Sequence, residues 1–191
     1  MRCILCQKLS FFHICRGCQQ SLLHPTPSLR ILDGGFRVYS FYRYSEITPL
    51  LLTKHAYIGS FVYHILAENS LAPFAKKVTL QNPCEVVGID DRPKGGYSHT
   101  AILAHALKSA MMRPRFGLLR AGNDITYAGK SLHFRQTHPR EFRCGVEAGK
   151  SVILVDDIVT TGTTILEAAN VVEKVGAIPL FAITLADARE I

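Results

Sequence analysis

The stretch from Ser151 to Thr164 constrains this chain more than any other. Ser151-Val-Ile-Leu-Val155 is an apolar run of the kind that fills a central parallel strand. It passes directly into Asp156-Asp157-Ile-Val and then Thr160-Thr161-Gly162-Thr163-Thr164. A helical pattern follows, with Ile165, Ala168, Ala169 and Val172 on one face, and Ile178 to Leu185 completes a β-α-β unit. Ligands of open α/β sheets bind at the carboxyl edge of the strands, where the two acids fall. The Thr/Gly turn offers a phosphate backbone N–H groups, hydroxyls and the start of a helix, and Gly162 lets the backbone come close. Phosphate alone would be a poor neighbour for two carboxylates. Their natural partners are donors such as ribose hydroxyls, or a metal ion, so the chemistry predicts a ribose 5-phosphate moiety. An ordinary capped helix needs one Asp or Thr, not two acids and four threonines around a glycine. No Gly-Lys-Ser/Thr closes the turn, which separates it from a Walker A loop.

Strand and helix alternate through the rest of the chain, which argues for a mostly parallel sheet covered on both faces. Pro25, Pro27, Gly34 and Gly35 mark a connector, and Phe36 to Tyr44 reads as a strand. Thr48-Pro49 reads as a helix start with proline in the first position, and Tyr57-Ile58-Gly59 as a break before a second helix carrying Phe61, Val62, Ile65 and Leu66. Cys84 to Asp90 is a short apolar strand, and Ser98 caps a helix with Ile102, Leu103, Ala106, Leu107 and Ala110 in phase. Phe116 to Leu119 reads as a brief strand, and the polar stretch 120–149 as a long functional loop. A second anion site is expected after the Cys84–Asp90 strand, where Arg92, Lys94, Gly95 and Gly96 combine cations with glycines; Lys54 is a lesser candidate.

Four of the six cysteines lie within 16 residues, as Cys3-x-x-Cys6 and Cys15-x-x-Cys18. Each pair turns two thiolates the same way, and together they supply a tetrahedral soft-ligand set for which Zn²⁺ is the usual occupant. Four sulfurs leave no open position, so the ion is structural. A segment this short draws its folding free energy from the metal. Disulfides fit poorly with a cytosolic address, and a redox pair would not explain two matched turns. His13 and His24 read as solvent-facing, and Cys84 and Cys144 as isolated strand and loop residues. The expected division is a zinc module over 1–32 and an α/β domain over 33–191.

The net charge of +7 is uneven. Residues 1–44 carry six basic and one acidic side chain, residues 113–143 seven and two, and residues 144–191 three and seven. Focused positive potential draws phosphates, so an anionic partner is one reading and simple solubility the other. No apolar run approaches the roughly 20 residues of a membrane-spanning helix, and no signal peptide is evident, so the expected address is the cytoplasm.

The acid-pair and Thr/Gly stretch resembles the phosphoribosyl pyrophosphate (PRPP) signature of type I phosphoribosyltransferases. The resemblance implies that Asp156 and Asp157 contact ribose hydroxyls as the catalytic acids, that Thr160, Thr161, Gly162, Thr163 and Thr164 hold the 5′-phosphate, and that Mg²⁺ arrives with the pyrophosphate. The order of parts resembles the ComF competence family: paired CxxC turns, an aromatic strand, Leu51-Leu-Thr-Lys54, Gly95-Gly-Tyr-Ser-His99, then the acidic loop. That family usually carries a longer arginine-rich segment at the second site. The resemblance implies a type I phosphoribosyltransferase fold with an N-terminal zinc module. It also implies handling of single-stranded DNA during natural transformation, alongside DNA-uptake machinery at the inner membrane. Arg2, Lys8, Arg16 and Arg30 would then meet the DNA backbone, and Phe11 or Phe12 would stack on a base or pack inside the module. An active transferase of base or nucleotide metabolism is the alternative, with Lys130 or Arg135 reaching the pyrophosphate. A PRPP-sensing regulator is a third, without a helix-turn-helix pattern behind it.

Overall fold

The computed structural model describes residues 1–90, 93, 96–123 and 140–189. Its elements are α1 (Arg16–Leu22), β1 (Ser28–Ile31), β2 (Arg37–Arg43), α2 (Tyr44–Leu51), α3 (Tyr57–Lys77), β3 (Cys84–Gly88), α4 (His99–Ala106), β4 (Met112–Arg115), β5 (Leu119–Arg120), β6 (Arg143–Cys144), β7 (Ser151–Val159), α5 (Thr163–Lys174) and β8 (Ile178–Asp187). Six strands form one sheet in the order β1-β2-β8-β7-β3-β4. Only the β1–β2 pairing is antiparallel; β2–β8, β8–β7, β7–β3 and β3–β4 all run parallel. β5 and β6 make a separate two-stranded ribbon.

β7 lies between two strands and is covered on both faces, as an uninterrupted apolar run requires. Ile153 and Val155 face a core built with α3 and α4, where Val62, Tyr63, Leu66, Leu103 and Leu107 are buried. Val152 and Leu154 face a second core with Ile165, Ala168, Ala169 and Val172 of α5. The buried positions of α3 recur at helical spacing, Val62, Tyr63, Leu66, Ala67, Ser70 and Leu71, which seats one face of the helix on the sheet.

Several local expectations are corrected. The helix expected from Thr48-Pro49 begins at Tyr44, because the Glu46 carboxylate accepts the Arg43 N–H at 3.1 Å and caps the first turn; Pro49 sits inside it. Gly59 is no break but part of the first turn of α3. A side chain there would strike the Thr53 carbonyl at 2.1 Å and the Tyr97 hydroxyl at 2.2 Å, so glycine is demanded by packing. α4 stops at Ala106, short of Ala110. The strand expected over 116–119 is instead Met112–Arg115, held by parallel pairing with β3; Pro114 is tolerated because β4 is an edge. The connector also contains β1, which adds an edge strand to the sheet from Ser28.

The cysteine segment is built into the domain. Cys3, Ile14, Cys18 and Leu23 share one buried cluster with Phe41, Ile47, Leu50 and Val62. His13 stacks on Phe61 of α3 at 4.1 Å between ring centres, and Asn69 Nδ2 donates to Gln19 Oε1 at 3.1 Å. His13 is thus a packing residue and not the solvent-facing one expected. Among the described residues no helix is long and apolar enough to cross a membrane.

Candidate functional site

Asp156 and Asp157 sit past the midpoint of β7, where its two neighbours behave differently. β8 pairs on to Val159, with Asp156 opposite Thr184. β3 leaves the ladder at Gly88, opposite Val155. The acids therefore stand at the edge of a crevice that opens beyond β3, the place where a parallel sheet exposes its strand ends.

Alternation along the strand sends the two side chains to opposite faces. Asp157 turns toward α3 and is 5% exposed. Its Oδ2 accepts the Lys54 ammonium at 2.9 Å and the Tyr63 hydroxyl at 3.0 Å, and His99 Nε2 stands 3.9 Å away. Burial alone would raise its pKa. The charges of Lys54 and His99 and the bonds from Lys54 and Tyr63 outweigh burial and hold it below the usual carboxylate range. Asp156 is half-buried on the other face, and its Oδ1 accepts the backbone N–H of Asp157 at 2.8 Å. Burial, and then the neighbouring Asp157 charge, push its pKa up.

Lys54 comes from a 3-10 turn, Leu52–His55, between α2 and α3. Burial pulls its pKa down, but attraction to Asp157 more than compensates, so it remains an ammonium. Tyr97, at the start of the chain leading into α4, donates its hydroxyl to the Lys54 carbonyl at 2.7 Å. The Ser98 hydroxyl accepts from Ala101 N at 3.1 Å, capping α4 as expected. One ligand atom from each of His99, Asp156 and Asp157 falls within 4.8 Å of the others, a geometry open to a cation. The Lys54 ammonium and the Tyr63 hydroxyl already occupy Asp157, so the positive charge there is supplied by the chain itself.

The turn after β7 is tightly held. Gly162 is left-handed at φ 87°, and a Cβ there would lie 2.6 Å from Leu32. Thr161 Oγ1 stands 2.9 Å from Thr163 Oγ1, and the Gly162 carbonyl accepts from Leu166 N at 2.9 Å, which starts α5. The N–H groups of that first turn point out of the helix end toward the crevice. Arg30 braces the turn from behind: its guanidinium donates to the Thr160 carbonyl and pairs with Asp187 at 3.2 Å. Arg30, expected to meet the DNA backbone, has a side chain 15% exposed and engaged with Asp187 and Thr160.

Of the expected second anion site, Gly96 is described, exposed and left-handed at φ 91°. Arg92, Lys94 and Gly95 lie outside the described residues, as do Lys130 and Arg135. The base of the 124–139 segment is placed: Asp90 Oδ1 accepts Ala121 N at 3.0 Å, Asp90 Oδ2 pairs with Arg140 at 3.0 Å, and Gly122 N donates to Arg140 O at 2.9 Å. Tyr63 was missed by sequence reasoning, because an aromatic within a helix reads as packing. Tyr97 and His99 were noted only as part of the Gly95–His99 motif, with no role attached to their side chains.

The four sulfurs of Cys3, Cys6, Cys15 and Cys18 lie within 4.8 Å of one another, and none forms a disulfide. Backbone donors already point at them: Cys15 N to Cys3 Sγ at 3.3 Å and Cys18 N to Cys15 Sγ at 3.4 Å. These bonds outweigh burial and lower the pKa of Cys3, whereas burial and the neighbouring thiols raise that of Cys18. Four thiols this close favour loss of protons to a metal. Around them Arg2, Lys8, Arg16, Leu9 and Phe12 are exposed, and Phe11 is 96% exposed. Arg16 lies over the Phe12 ring at 5.6 Å.

A mostly parallel sheet covered by helices, with an acid pair and a hydroxyl-rich turn at its carboxyl edge, defines an α/β protein of the phosphoribosyltransferase fold class. The family model of the phosphoribosyl transferase domain matches residues 81–190, more than half of the chain, and the chain belongs to that family. No curated protein matches in sequence. Among solved structures, an adenine phosphoribosyltransferase is similar at 20% identity, covering 89% of this chain and 88% of that one, with a TM-score of 0.38. The Trypanosoma brucei adenine phosphoribosyl transferase, in complex with AMP, pyrophosphate and ribose-5-phosphate, is 16% identical over 86% of this chain and 87% of that one, at a TM-score of 0.46. A Staphylococcus aureus hypoxanthine phosphoribosyltransferase is 19% identical over 65% of this chain and 62% of that one, at 0.41.

Proposed function

We propose that the crevice binds a PRPP-type ligand with Mg²⁺, and that the chain uses this site as a competence-associated factor handling single-stranded DNA during uptake into the cytoplasm. The observation that carries the ligand assignment is the pairing of carboxylates with an anion turn across a few residues at the end of β7. The acids suit ribose hydroxyls, and the turn suits the 5′-phosphate. Mg²⁺ would be held by the ligand's own pyrophosphate and hydroxyl oxygens, with water completing its shell. Zn²⁺ would be held by the four cysteines as a closed structural site.

The DNA assignment rests on the resemblance to ComF and is supported by the surface of the cysteine segment. Phe11 projects into solvent, where a base can stack, with Arg2, Lys8 and Arg16 nearby for phosphates. The test uses a labelled thymidine oligomer and fluorescence anisotropy across a salt series on the full-length protein. Removal of residues 1–32 is avoided because it would strip Ile14 and Leu23 from the core. Binding should weaken with salt, and Phe11→Ala should lower affinity roughly tenfold or more. Unchanged binding in Phe11→Ala and Arg16→Ala would move DNA away from this segment, and no binding at low salt would remove the DNA role.

Family membership favours the second reading, an active transferase. A base nitrogen would attack the ribose C1 as the C1–O bond to pyrophosphate breaks and pyrophosphate leaves with its metal. Pyrophosphate release from PRPP with a panel of bases distinguishes turnover from binding.

A further inference from the structure

The two acids are adjacent in sequence, yet their surroundings give them different work. Asp157 has its Oδ2 filled by Lys54 and Tyr63, with His99 behind, and is almost wholly shielded from solvent. Asp156 is half-buried, and its Oδ1 accepts the backbone N–H of Asp157. An Oδ2 in that setting can still accept a donor from a ligand.

Lys54 is the third member of the arrangement. Its side chain is 28% exposed, so the ammonium reaches solvent while one of its three N–H donors is committed to Asp157. Its carbonyl is bound by the Tyr97 hydroxyl at 2.7 Å, and Gly59 lacks a side chain where Tyr97 and Thr53 crowd together. Lys54 is thereby fixed between the acid pair and the chain that follows β3. A ligand carrying phosphates at both ends needs positive charge at the end away from its 5′-phosphate, and a cation held between Asp157 and the chain after β3 suits that need.

We infer that the acids are divided: Asp156 accepts the ribose hydroxyls, whereas Asp157 is a positioning residue that, with Tyr63, holds the Lys54 ammonium for the ligand's pyrophosphate. This rests on the PRPP reading of the crevice. It departs from an equal sharing of the hydroxyls by both acids, and it brings in two residues, Lys54 and Tyr63, that precede the stretch matched by the family model.

The experiment is a double-mutant cycle on full-length protein, with Mg²⁺–PRPP affinity measured by calorimetry. Pyrophosphate and ribose 5-phosphate are then titrated separately as competitors. Lys54→Met should weaken PRPP and pyrophosphate at least tenfold and leave ribose 5-phosphate within about twofold. Asp157→Asn should show the same split, and the double variant Lys54→Met/Asp157→Asn should be no weaker than Lys54→Met alone. Asp156→Asn should show the opposite split, with losses that multiply with those of Lys54→Met. If Asp157→Asn instead weakens ribose 5-phosphate as Asp156→Asn does, or multiplies with Lys54→Met, the division is overturned. Should Asp157→Asn fail to fold, Tyr63→Phe takes its place: it keeps the carboxylate and removes one donor, and must lower pyrophosphate affinity without touching ribose 5-phosphate. Wild-type protein that binds no PRPP would sink both this inference and the reading beneath it, whereas PRPP binding with the wrong cycle sinks the inference alone.

Discussion

The same amide substitution at two neighbouring positions should change stability in opposite directions. Asp157→Asn removes the charge that faces Lys54 at 2.9 Å and Tyr63 at 3.0 Å in a nearly dry site. Hydrogen bonds to charged groups contribute about 1.5–3 kcal/mol each, and an amide oxygen retains part of that, so the expected loss is about 2–3 kcal/mol. For a chain of this size each kcal/mol moves Tm by about 2–4 °C, so the midpoint should fall by roughly 4–12 °C. Asp156→Asn keeps an oxygen for the Asp157 N–H and is neutral beside the Asp157 charge without taking up a proton, so at pH 7.5 it should stabilise the fold. The sign follows from linkage: Asp156 has a raised folded pKa, so between pH 4 and about 8 the unfolded chain gives up a proton that the folded chain keeps, and wild-type stability is lost as pH rises. The advantage of Asp156→Asn should therefore grow across that window and vanish near pH 4. Asp157 has a depressed pKa, and its contribution persists above about pH 4 and is lost as pH falls toward about 2. Urea unfolding at pH 4, 6 and 7.5 measures all of this through the midpoint at constant slope. An Asp157→Asn midpoint equal to wild type, or an Asp156→Asn protein destabilised as much as Asp157→Asn, would refute the assignment of the clamp to Asp157.

Two other consequences are direct. The purified protein should carry one Zn²⁺ per chain by elemental analysis. Cys18→Ser or a strong chelator should remove it and lower Tm of the whole protein, because Cys3, Cys18 and Ile14 belong to the domain's core; an unchanged melt on metal loss would separate the two. Gly162→Ala forces a side chain into φ 87° and against Leu32, so it should cost about 1–2 kcal/mol in unfolding and weaken PRPP more than tenfold, with wild-type PRPP affinity counting against the anion turn.

The parts of the site that lie in one run of chain were legible in the sequence. The apolar strand, the acid pair, the Thr/Gly turn and the following helix are consecutive residues, so their spacing alone dictates that they share one sheet edge. The paired CxxC turns are equally local. Element starts were less legible where two signals competed: the local cap of Glu46 on Arg43 outweighed the Thr48-Pro49 signal, and tertiary pairing with β3 drew the next strand back to Met112.

What the linear chain determined is therefore the run of the candidate site, two carboxylates followed by a hydroxyl-rich turn, because strand, turn and helix start are short-range structures. What tertiary structure alone decided is the surroundings of each acid. Lys54 is 103 residues from Asp157, and Tyr63 is 94; only the packing of α3 on β7 brings them within hydrogen-bonding distance. Likewise Arg30 reaches Thr160 across 130 residues because β1 and β2 extend the sheet past β8. Strand alternation separates the neighbours Asp156 and Asp157, and the helix on each face then sets the electrostatic environment that no local pattern encodes.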